Sequence, residues 1–144
     1  MGPEVNKQGI FIGYYCIMMK QINIEHVGNL HTEWFRGLDF YGLELNFMQE
    51  RLDEVASGNT GREASERIDY FQNEIIIHRN FIDELRHYIH ENVKKMGNEL
   101  LKTKVFVDEN VAAEHEKLHE QYLTEEKMIK DLRQEFNRFA AEWL

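Results

Sequence analysis

Residues 68–96 read IDYFQNEIIIHRNFIDELRHYIHENVKKM, and the spacing within this stretch decides the fold class. Ile68, Phe71, Ile75, His78, Ile82, Leu85, Ile89, Asn92 and Met96 recur at alternating intervals of three and four. Side chains so spaced share one face of an α-helix, whereas a half-buried strand would alternate every second residue. Two similar seams flank this one. The earlier runs Val27, His31, Trp34, Leu38, Tyr41, Leu45, Met48, Leu52, Val55, and the later runs Val111, His115, Leu118, Tyr122, Glu125, Ile129, Leu132, Phe136, Phe139, Trp143. A helix with a single apolar seam must bury it against another, so three of them predict a bundle or coiled coil.

The breaks between seams fix the order. Ser57-Gly58-Asn59-Thr60-Gly61 reads as a turn in which Gly58 suits a helix end, and Thr60 with Glu63 fits a capping box for the next helix. Gly97-Asn98 offers an end to the second helix, although Leu100 and Leu101 extend its pattern. Lys104–Val107 reads as the second connection, with Asp108 as the cap of the third helix. The first turn is short, so helices one and two are expected to be antiparallel neighbours, with helix three returning alongside. The expectation is an all-α fold: an antiparallel, up-down-up three-helix bundle with long helices, spanning residues 23–144. The chain has a single proline, Pro3, and therefore lacks the regular punctuation of sandwiches and barrels.

Residues 1–22 read as a separate, poorly integrated N-terminal segment. Its apolar run, Gly9 to Met19, is too short for a bilayer span of about 20 residues, and no signal-cleavage pattern follows it. Met18 or Met19 is an alternative translation start. One cysteine, Cys16, excludes an intramolecular disulfide. Cytoplasmic residence is the expectation, with no membrane association.

Lys plus Arg number 17 against 26 Asp plus Glu, a formal charge of −9. This balance argues against a nucleic-acid binder, whose affinity comes from cations neutralising phosphates. No Walker-type phosphate loop and no Ser-His-Asp arrangement is legible, so the chain reads as non-enzymatic and cofactor-free.

Seven histidines raise a metal-binding alternative with Fe, Mn or Zn. His31 and His115 occupy seam positions and His119 their margin, while His87 and His90 point to solvent. Glu84-x-x-His87 and Glu116-x-x-His119 match half of a di-iron pattern. The stretch Glu114 to Leu123 resembles a hemerythrin-type helix. That family also needs a His-x-x-x-Glu pair on the preceding helix and a later His and Asp; no histidine follows His119, so no ligand role is carried over.

Two further groups stand out. Tyr41, His78 and Glu125 interrupt the seams with polar groups near one level and are expected to form a single buried layer, fixing register as polar core residues do in coiled coils. Phe40, Phe47, Ile76 and Ile77 fall off the seams; either the N-terminal apolar run covers them or, as is expected here, they form an interface of helices one and two with a second copy or a helical partner. The chain after Met19 also resembles small all-helical bundle proteins of bacteria, uncharacterised in activity. His26–Trp34 and Leu132–Leu144 carry that likeness. It implies a fold and no site.

Overall fold

A computed structural model describes residues 19–21, 24–103 and 106–144. Three long helices dominate it: α1 over Ile24–Gly58, α2 over Arg62–Thr103 and α3 over Glu109–Trp143. Two three-residue strands, β1 (Met19–Gln21) and β2 (Phe106–Asp108), pair antiparallel, with Met19 opposite Asp108 and Gln21 opposite Phe106. The fold class is all-α.

The seams pack as their spacing requires. Of all the seam residues, only Tyr41, Ile68, Val111 and Trp143 are half-buried; the others are buried. At the end holding the α1–α2 turn, Phe71 packs edge-on against Phe136 with ring centroids 5.3 Å apart and lies 4.8 Å from Phe139. Side chains of this size each contribute roughly 1.5–3 kcal/mol when taken out of water, so the seam supplies the stability that three isolated helices lack.

The turn differs in detail from its sequence reading. α1 continues through Gly58 and α2 begins at Arg62, so Gly61 rather than Thr60 occupies the cap position, its carbonyl accepting the Ser65 N–H at 2.9 Å. Asn59 closes this end of the bundle, donating to the carbonyls of Val55 and Trp143 at 2.9 and 3.2 Å. α2 runs straight past Gly97 to Thr103. Asp108 does cap α3, accepting from the Asn110 N–H at 2.8 Å.

The opposite end carries the two-stranded ribbon. Val107, expected in a simple connection, is fully buried there with Val27, Met96 and Ala112. Residues 19–21, assigned from sequence to the separate segment, are joined to the α2–α3 connection by the ribbon. The rest of that segment, including Cys16, lies outside the described residues. Among the described residues no helix is long and apolar enough to cross a membrane.

Candidate functional site

Five polar side chains are buried in the seam: His31, His78, Asn92, His115 and Glu125. They fall into two groups. Midway along the bundle, His78 of α2 donates from Nδ1 to Glu125 Oε1 of α3 at 2.6 Å, with both side chains almost wholly out of water. Glu74, one turn before His78 on α2, approaches Nε2 at 3.5 Å and is partly exposed. A carboxylate on each ring nitrogen favours the imidazolium. The hydrogen bond to Glu125 raises the His78 pKa, and burial only partly opposes it.

Tyr41 does not join this layer. Its hydroxyl donates instead to Glu126 Oε2 at 2.6 Å, on a more exposed side of the bundle. The separation is one of side rather than level: Glu126 directly follows Glu125 on α3, so Tyr41 reaches the level of the pair but meets the exposed Glu126, whereas His78 meets Glu125 in the buried seam. The expected three-membered layer is a His78–Glu125 pair, and the Tyr41–Glu126 bond is separate from it.

The second polar group lies toward the ribbon. His31 Nε2 and His115 Nδ1 are 3.3 Å apart, and both are buried. Trp34 packs against both, with ring centroids 5.3 Å from His31 and 4.9 Å from His115. Burial, reinforced by repulsion from His115, lowers the His31 pKa to about 4. His31 is therefore neutral at pH 7. His119, on the next turn of α3, lies 5.3 Å from Trp34. Among the described residues no three His, Cys, Asp or Glu side chains converge as a metal would require. Asn92 donates to the Val111 carbonyl at 3.2 Å, while its buried Oδ1 has no hydrogen-bond partner among the described residues.

The neutral, buried His31 has a consequence at low pH. An unfolded histidine takes up a proton near pH 6.5, whereas folded His31 resists until about 4. Between those values the unfolded chain binds more protons, so acidification is expected to cost up to about 1.4 kcal/mol per pH unit. Urea midpoints at pH 5 and pH 7 check this: His31→Phe should shrink the difference, and an unchanged difference would remove His31 as the cause.

Tyr122 supplies a feature that the sequence reading missed. Its phenol lies on the backbone of α1 at Gly37, where an added Cβ would stand 1.9 Å from the hydroxyl and 2.8 Å from Cζ. A glycine inside a helix, between the seam residues Trp34 and Tyr41, was the available signal. Glu74 was legible in the same way, being one turn from His78.

The four expected interface residues are exposed but do not share a groove. Phe40 lines a hollow with Glu33, Arg36, Gly37 and Tyr122 between α1 and α3. Phe47 lines another with Glu44, Arg51, Arg133 and Phe136 on the same side. Ile77 instead lines a groove of about 480 Å³ between α2 and α3, with Phe81 and Met128 as walls and His78 and Glu125 at its floor. Ile76 lies beside it on α2, exposed. On α1 the apolar surface is continuous: Phe40, Leu43 and Phe47 recur at helical spacing and are 52%, 56% and 66% exposed.

The fold and these groups define an all-α protein with two polar layers inside an apolar seam. Compared with family models, curated proteins and solved structures, the chain gives no match.

Proposed function

We propose that this is a non-enzymatic helical interaction protein, an antiparallel up-down-up bundle that pairs with a second copy of itself through the outer face of α1. The bundle arrangement is supported by the order of contacts. Phe35, Asp39 and Asn46 of α1 meet His90, Arg86 and Arg79 of α2, so one series rises as the other falls. Tyr70, His78 and Lys95 of α2 likewise meet Glu135, Glu125 and Glu114 of α3.

The observation carrying the interaction reading is the stripe of Phe40, Leu43 and Phe47. Three large apolar side chains, each more than half exposed on consecutive turns of one helix, form the kind of patch that marks an association surface. The measurement is molar mass by sedimentation equilibrium at about 50 μM, a concentration at which a micromolar dimer is largely formed. The wild-type chain should have twice the monomer mass of 17.3 kDa and Phe47→Glu the monomer mass. A wild-type monomer, or a dimer unaffected by Phe47→Glu, would refute this surface.

A second reading is favoured by one distance. Two nitrogens 3.3 Å apart, as in His31 and His115, match the separation of two ligands about 2.0–2.1 Å from one tetrahedral ion. In that reading His119 would have to turn from Trp34 to become a third ligand for Fe, Mn or Zn. Stoichiometric metal in untagged protein would favour it, and metal-free protein that keeps its dimer would favour the first.

A further inference from the structure

We infer that the two copies meet antiparallel across a two-fold axis at Leu43, with Arg36 of each facing Glu50 of the other; this rests on the α1 surface proposed above. The outer face of α1 carries a second seam, Glu33, Arg36, Phe40, Leu43, Phe47, Glu50 and Glu54, again at intervals of three and four. All seven side chains are exposed. About Leu43 the stripe is nearly its own inverse. Phe40 and Phe47 stand three residues before and four after it, and Arg36 and Glu50 seven before and seven after.

An antiparallel two-fold pairing therefore sets Leu43 on its copy and Phe40 on the partner copy's equivalent of Phe47. It closes both ends of this apolar strip with an Arg36–Glu50 ion pair. Neither Arg36 nor Glu50 has an ion-pair partner among the described residues. A parallel pairing would set Arg36 on Arg36 and Glu50 on Glu50, placing like charges at both ends of the strip. Charge complementarity thus selects the orientation, and isologous contact makes each complementary pair occur twice.

The remaining charges bordering the strip are accounted for within each copy or cost little. Asp39 is held by Arg86, Glu44 by Arg133, and Arg51 pairs with Glu54. Glu33 and Glu54 come level across the axis at the far ends. There both are exposed and water and salt screen their repulsion. The chain's net charge of −9 opposes self-association in general, which makes the placement of the unpaired arginine opposite an unpaired glutamate the more telling.

The test is a charge-swap cycle on the full chain, read by sedimentation equilibrium, with circular dichroism showing that each variant keeps its helices. Arg36→Glu and Glu50→Arg each turn two attractions into repulsions and should weaken the dimer by about tenfold. The double variant Arg36→Glu/Glu50→Arg should restore it to within about twofold of wild type. Single variants that leave the dimer constant unchanged, or a double variant weaker than either single, would overturn the pairing while leaving the α1 surface standing. If Phe47→Glu also leaves the dimer intact, or the wild type is a monomer, the surface itself falls and the pairing with it.

Discussion

Replacing His78 alone with leucine is expected to cost about 3–5 kcal/mol, the loss typical when one member of a buried ion pair is removed. The change leaves Glu125 with almost no water to solvate it and without the donor that sits at 2.6 Å. The double variant His78→Leu/Glu125→Leu should recover most of that loss, because it exchanges a desolvated pair for apolar groups that suit the surrounding seam. Urea denaturation of the wild type, both single variants and the double variant gives the coupling energy; strictly additive effects would show that the pair contributes nothing jointly.

The same pair sets an alkaline limb. Because the His78 pKa is raised, its contribution is full below the unfolded value of 6.5 and fades as pH climbs through the folded value. The stability gap between wild type and the double variant should therefore narrow from pH 6 toward pH 9. Together with the acid limb from His31, this places the stability maximum near neutrality.

The second large effect concerns a residue without a side chain. Gly37→Ala adds helix propensity worth about 1 kcal/mol, yet its methyl group would enter the space held by the Tyr122 hydroxyl. Tyr122 has little room to yield. It is buried, with Trp34 6.1 Å and Tyr41 6.3 Å away between ring centroids. Overpacking of this kind costs typically 1–3 kcal/mol, so thermal unfolding should show a net loss. Gly42, where nothing lies within 4 Å, supplies the control: Gly42→Ala should stabilise by about 0.5–1 kcal/mol. Adding Tyr122→Phe to Gly37→Ala should rescue it in part, since the oxygen leaves while Cζ remains. A Gly37→Ala variant as stable as Gly42→Ala would show that α1 and Tyr122 are not in close contact.

Much of the fold is legible in the sequence because the seams are long and nearly unbroken. Every residue from Phe71 to Met96 assigned to the second seam is buried, polar His78 and Asn92 included. Burial of His31, His78, His115 and Glu125 follows from the same spacing, since a polar residue at an apolar interval must point inward whatever its chemistry. What periodicity lacks is the identity of the partner. It says which face a residue occupies, and not which of two adjacent side chains on a neighbouring helix it will meet. Tyr41, half-buried at the edge of its seam, takes exposed Glu126, whereas His78 takes buried Glu125, the residue before it. The ribbon escaped for a related reason: three-residue strands leave no periodic trace, and Val107 is buried with Met96 of α2 and with Val27, far away in the chain.

That ribbon also bears on how the chain opens and closes. Met19 and Asp108 stand opposite each other in the ribbon although α1 and α2 separate them in the chain, whereas those two helices are joined directly by the short turn around Asn59. Loop-closure entropy favours early contact between α1 and α2 and is expected to leave the ribbon among the last contacts to form. Substitutions at Val107 should then speed unfolding and leave the folding rate nearly unchanged. Amide protection should be lowest at the ribbon end and highest where Phe71, Phe136 and Phe139 interlock, so the molecule unzips from one pole.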